Sequence, residues 1–173
     1  MLLSMLEHHS NIVPWQMVAE RVGAAIDVLP LTDDHRIDLD AMERMLTPQH
    51  KLVALAHVSN VLGSVLDAKR ATDFAHGVGA KILLDGCQAV PRVAVDVAAI
   101  GCDFYVFSGH KLYGPKGIGA LVVRPEVPIK PLQWGGGQEQ GLRPGTLPVP
   151  LIVGFAKAVE LAMEDITSRQ NKL

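Results

Sequence analysis

A chain of 173 residues has room for one buried core, and its hydrophobic share of 49% is rich in Val, Leu, Ile and Ala with 5% aromatic residues. That balance suits buried parallel strands between helices better than an all-β sandwich. Sixteen Lys and Arg against 18 Asp and Glu give a formal net charge of -2 with no basic tract, so neither nucleic acid nor an anionic membrane surface is expected as the main partner.

Met1-Leu2-Leu3-Ser4-Met5-Leu6 runs straight into Glu7-His8-His9 without a basic flank, and reads as the tail of a strand rather than a signal peptide. No apolar stretch has the length of a bilayer crossing. A helix is expected from Pro14 to Val22, with Pro14 near its first turn and Gly23 at its end. Ala25 to Leu31 reads as a short strand. Asp38 or Asp40 then caps a helix from Ala41 to Leu46, whose apolar face is Met42, Met45 and Leu46. Lys51 to His57 is a buried strand, followed by the polar loop Ser59-Asn60-Val61-Leu62-Gly63. Asp67 caps a helix to about His76, ended by Gly77 and Gly79.

Lys81 to Asp85 is the next strand, and Asp96 to Ile100 a short helical turn. Phe104 to Phe107 and Ile118 to Val123 are two more strands, joined through Tyr113-Gly114-Pro115-Lys116-Gly117 in a manner that permits antiparallel pairing. A loop with Gly135-Gly136-Gly137 leads to a last helix, Pro150 to Ile166, whose apolar positions almost encircle it and imply burial against other protein. The alternation gives an α/β fold with a mostly parallel sheet flanked by helices. Cys87 and Cys102 form neither a CxxC pair nor a metal-ligand spacing. No metal site is expected, and a reduced, cytoplasmic setting is.

Ligands of such a sheet bind beyond the carboxyl ends of its strands. The expected strand ends carry His8 and His9, then Asn60, then Asp85 with Gln88, then Ser108, His110 and Lys111. Each has a plainer role. Asp before Gly is a common turn pair, Asn60 suits an Asx-turn, and a surface histidine needs no ligand. Together, at matching strand ends, they make chemical sense around pyridoxal 5′-phosphate. Lys111, a desolvated amine, forms the Schiff base. Asp85 keeps the pyridine nitrogen protonated, which makes the ring an electron sink. Gln88 donates to the phenolate oxygen, and Ser108 and His110 to the phosphate. His8 lies over the ring and serves as acid or base. Gly114-Pro115-Lys116-Gly117-Ile118-Gly119 lacks the Gly-Lys-Ser/Thr ending of a nucleotide loop and precedes a strand, so that reading is rejected.

Glu7-His8-His9-Ser10-Asn11-Ile12-Val13-Pro14-Trp15, His57-Val58-Ser59-Asn60, Asp85-Gly86-Cys87-Gln88 and Ser108-Gly109-His110-Lys111-Leu112-Tyr113-Gly114-Pro115 resemble the cysteine desulfurases. These are class V members of the fold-type I pyridoxal-phosphate enzymes, and the resemblance covers nearly the whole chain. It implies the large-domain fold of that type, the roles given above, and Asn60 beside Gln88 near the phenolate oxygen. It implies too that Arg143-Pro144-Gly145-Thr146 reaches a partner subunit, with Thr146 at that subunit's phosphate, in a homodimer. The implied reaction takes sulfur from L-cysteine, or selenium from selenocysteine in some relatives. Alanine is left, and a persulfide is passed on to an acceptor for iron–sulfur cluster assembly.

The departures set further expectations. Relatives carry an N-terminal phosphate loop and a C-terminal small domain holding the persulfide cysteine and a carboxylate-binding arginine, none with a counterpart here. The chain is expected to be part of a larger protein: a partial large domain that binds the cofactor weakly and alone turns over cysteine more slowly than about 1 per second. Cys87 and Cys102 are expected to pack as apolar residues rather than accept sulfur. Other class V chemistry (aminotransfer, kynureninase-like hydrolysis, epimerisation) and a non-catalytic dimerisation or scaffold role are the alternatives.

Overall fold

Strands covered on both faces must be apolar throughout, and Val53, Ala54, Leu55, Ile82 and Leu84 are all fully buried. The computed structural model describes residues 1–164 and 166. Its six-stranded sheet comprises β1 (Leu2–Ser4), β2 (Asp27–Leu29), β3 (Leu52–Ala56), β4 (Lys81–Asp85), β5 (Phe104–Ser108) and β6 (Gly119–Val123). The spatial order is β2-β1-β3-β4-β5-β6, parallel throughout except that β6 runs antiparallel to β5. The chain goes outward from β1 to β2 and returns to β3 on the other side of β1. That reversal makes the β1/β3 boundary a topological switch point, where such sheets collect ligands.

The helices are α1 (Val13–Val22), α2 (Leu39–Met45), α3 (Ala68–Gly77), α4 (Val97–Ile100) and α5 (Val149–Glu164). Three start on the aspartates that the sequence offers. Asp38 accepts from the Ala41 amide at 2.8 Å, Asp67 from Arg70 at 3.0 Å and Asp96 from Ala99 at 2.9 Å. These contacts satisfy amides that a helix start leaves unpaired. Gly23 ends α1 at φ 68°, a conformation open to glycine at little cost. Leu39, Met42 and Leu46 with Ala68, Ala71 and Ala75 pack α2 and α3 onto Leu2, Leu55, Ile82 and Leu84. A second cluster joins Phe155, Ala158 and Ala162 of α5 to Leu112.

Several expected boundaries move. The strand expected over Ala25 to Leu31 is only Asp27–Leu29, because Pro30 has no N–H to extend the ladder. The helix expected from Ala41 begins at Leu39, since Asp38 and not Asp40 is the cap. The last helix does not bury all its apolar positions: Val153 and Leu161 are 62% and 50% exposed. Of its expected span, position 165 falls outside the described residues.

The edge of the sheet where β4 and β5 begin is closed by charge. Asp103, fully buried, accepts from His76 Nε2 at 2.8 Å, Lys81 Nζ at 2.9 Å, Arg124 at 3.0 Å and the Ile82 amide at 2.9 Å. Burial pushes its carboxyl up. The bonds from His76, Ile82 and Lys81 and the charge of His76 outweigh that and hold it below the usual carboxylate range.

Candidate functional site

Four parallel strands end together at the opposite edge, with Ser4, Ala56, Asp85 and Ser108 as their last residues. The segments that follow carry His8, Asn60, Gln88, His110 and Lys111 to the same side.

Asp85 lies between Ala56 and Val106 in register and is partly buried. The Cys87 amide donates to its Oδ1 at 2.9 Å, so Asp85 does cap the turn after β4, as an Asp before Gly ordinarily does. The turn needs Gly86, where a Cβ would lie 2.1 Å from the Tyr105 ring. That buried ring bonds through its hydroxyl to His57 Nδ1 at 2.9 Å, and the His57 amide donates to the Asp85 carbonyl at 2.9 Å. Burial lowers the His57 pKa, keeping the imidazole neutral. Asp85 is thus fixed from both neighbouring strands.

Lys111 stands exposed, not desolvated as expected, in the 3-10 turn Gly109–Leu112 directly after β5. Leu112 beneath it is buried against α5. The packing is close: a Cβ on Gly109 would lie 3.1 Å from Phe155, and one on Gly114 3.0 Å from Ala158. Ser108 Oγ and His110 Nδ1 are 2.7 Å apart at the head of this turn.

Cys87 stands beside Asp85 in the turn after β4. Burial pushes its thiol up to about 12, a hydrogen bond to Asp85 and that residue's charge add to the effect, and the Ser108 backbone and Lys111 ammonium oppose it. The carboxylate and the amine therefore act on one and the same side chain. Cys87 is half-buried at the site edge, not in the core as expected. Cys102 is buried as expected, and burial raises its thiol to about 11.

His8 is exposed, with its Nδ1 2.8 Å from Ser10 Oγ and accepting from the Ser10 amide at 3.2 Å. Asn60 is exposed in the loop after β3, whose bend is held by the Val61 and Leu62 amides donating to Ser59 Oγ. Gln88 is half-buried. Thr146 is not at any strand end. It is exposed between the 3-10 turn Glu139–Gly141 and α5. A cleft of about 220 Å³ is lined by Thr32, Arg36, Asp38, Ser59, Asp67 and Arg70 among others, and by neither Asp85 nor Lys111.

Sequence reasoning missed Glu7, His57 and Tyr105 as parts of the site. The one available signal was a carboxylate, Glu7, immediately after an apolar strand. Among the described residues, no group of three or more His, Cys, Asp or Glu is placed to hold a metal ion, and no helix is long and apolar enough to cross a membrane.

A family model described as Aminotransferase class-V matches residues 1–172. A cysteine desulfurase of Klebsiella pneumoniae (strain 342) is 51% identical over 136 residues, covering 79% of this chain and 34% of the relative. The crystal structure of the cysteine desulfurase CsdA (S-sulfonic acid) from Escherichia coli superposes with a TM-score of 0.87 at 37% identity, over 94% of this chain and 45% of that one. A structure described as SspA in complex with cysteine gives 0.83 at 35% identity, over 92% and 46%. The chain spans about a third of the length of the curated relatives it matches.

Proposed function

Because the chain belongs to the class-V aminotransferase family, we propose that it supplies the cofactor-binding part of a cysteine desulfurase using pyridoxal 5′-phosphate. The observation that carries this reading is that Asp85 ends β4 while Lys111 follows the end of the adjacent parallel strand β5. The donor set fits the cofactor: an amine, a carboxylate, and a hydroxyl with an imidazole, all at one sheet edge. When bound, pyridoxal phosphate supplies an electron sink for bond breaking next to an amino-acid α-carbon.

The chain's own residues do the rest. Lys111 would hold the cofactor covalently, and its turn is braced from below by α5. Asp85 would serve the pyridine nitrogen, with one oxygen already oriented by the Cys87 amide. Asn60 and Gln88 would serve the phenolate oxygen, and Ser108 and His110 the phosphate. His8 would stand against the ring. The Ser10 amide donates to its Nδ1, so the neutral ring carries its proton on Nε2. The exposure of Thr146 suits a residue that serves the phosphate site of a partner subunit in a homodimer.

L-cysteine is the proposed substrate, by likeness to the cysteine-bound SspA structure and to the desulfurases. Alanine is left and the sulfur goes on to iron–sulfur cluster assembly in the cytoplasm. Neither thiol described here is the proposed acceptor, because both are held protonated, at about 12 and about 11, and the thiolate is the nucleophile. Titration with pyridoxal phosphate, followed by visible absorbance, tests the reading. A band that Lys111→Ala abolishes is expected. No band, or one that survives the substitution, overturns it and favours a scaffold role.

A further inference from the structure

Glu7 is a buried ionisable group at the site edge to which the proposed reaction gives no task. Only 8% exposed, its Oε1 accepts from Ser4 Oγ at 2.5 Å and from the Ala56 amide at 2.9 Å, and its Oε2 accepts from Asn11 Nδ2 at 2.7 Å. These donors are neutral. Burial raises its pKa, the three bonds oppose the rise, and the charge of Asp85 adds to it. A carboxyl shifted upward by burial weakens the fold at neutral pH relative to an uncharged isostere. Stability alone is therefore a poor account of this residue.

Its contacts have a pattern. Ser4 is the last residue of β1 and Ala56 the last of β3, the two strands of the switch point. Asn11 closes the 3-10 turn His9–Asn11, which His8 caps, and the Asn11 amide donates to the His8 carbonyl at 2.7 Å. Asn11 Oδ1 in turn accepts from Trp15 Nε1 at 2.8 Å, continuing the tie into α1. The His8 turn is thus moored to the sheet through one carboxylate, one strand away from Asp85 in register.

We propose that Glu7 is a positioning residue for His8: it ties the His8 turn to the ends of β1 and β3 and so sets where the imidazole stands relative to Asp85 and Lys111. This rests on the reading of the site given above. Glu7→Gln keeps an oxygen for Ser4 and Ala56 but turns an NH₂ group toward Asn11 Nδ2. The variant stays folded while the turn loosens.

The test compares pyridoxal-phosphate affinity, read from the visible band, in the parent chain, Glu7→Gln, His8→Ala and the double variant. Each single change is expected to weaken binding about tenfold, and the double variant no further, since both act through one imidazole. Additive losses, or parental binding by Glu7→Gln, overturn the proposal and leave the site reading standing. A parent without a Lys111-dependent band overturns the site reading instead. NMR of the His8 ring without cofactor then decides the matter for Glu7. A resonance that shifts or broadens in Glu7→Gln and recovers in Glu7→Asp supports the role. An unmoved resonance, or an unfolded Glu7→Asp chain, ends it.

Discussion

Asp103 and Asp85 stand at opposite edges of the same sheet, the first just before β5 and the second at the end of β4. Asp103 is enclosed by His76, Lys81 and Arg124 from three other segments. Asp85 is partly open, bonded by the Cys87 amide and the Cys87 thiol. A carboxylate surrounded by the chain's own cations is part of the fold. One left partly open, bonded by an amide and a thiol instead, is available to something else.

Stability measurements can break this comparison. Removing the hub of a buried ion network leaves its partners without a counter-charge, so Asp103→Ala is expected to cost about 3 kcal/mol in denaturant unfolding. Asp85→Ala is expected to cost less than about 1 kcal/mol there, while removing the visible band of the loaded chain. Equal stability losses would erase the distinction between the edges.

Gly86→Ala sharpens it from the open side. The added methyl must displace Tyr105 and its bond to His57, at about 2 kcal/mol for overpacking. Unchanged unfolding would mean that the Asp85 turn is loosely held. Acidity separates the carboxyls by sign. Asp103 is shifted down, so its stabilisation is present above the ordinary aspartate pKa of about 3.9 and is lost as pH falls through the lower folded value. A pH series should show this acid limb in the parent and not in Asp103→Ala. Glu7 is shifted up, so stability falls as pH rises from about 4.3 through its folded pKa, a slope that Glu7→Gln should lack. The smallest effect is expected at Cys87. Cys87→Ala changes stability by less than about 1 kcal/mol, and its thiol in the parent reacts with a labelling reagent at least about tenfold more slowly than an unperturbed cysteine.

Local chemistry was the legible part. The span Lys81–Asp85 is a strand as expected, the helices start on Asp38, Asp67 and Asp96, and the last two strands pair antiparallel. Each is decided within a few residues by alternation, capping or turn geometry. The strand-end set was legible because parallel topology sends every C-terminal end to one side. The ties among those ends were not: Glu7 meets Ala56, and His57 meets Tyr105, across sequence distances that no local pattern spans. The Asp103 cluster was hidden for the same reason, since its donors come from separate segments. Cys87 was misplaced because its small, weakly polar side chain suits a core, whereas β4 ends at Asp85 and leaves it in the half-buried turn beyond.

The reversal of β6 has a mechanical consequence. Ser108 pairs with Gly119 across the hairpin, so Lys111 hangs from a loop closed at both ends, not from an open crossover. Cutting the backbone anywhere from Tyr113 to Gly117 would spare every rung of the ladder yet restore swivel to the amine. Such a nicked chain would keep its sheet and lose its grip on whatever the lysine is meant to hold.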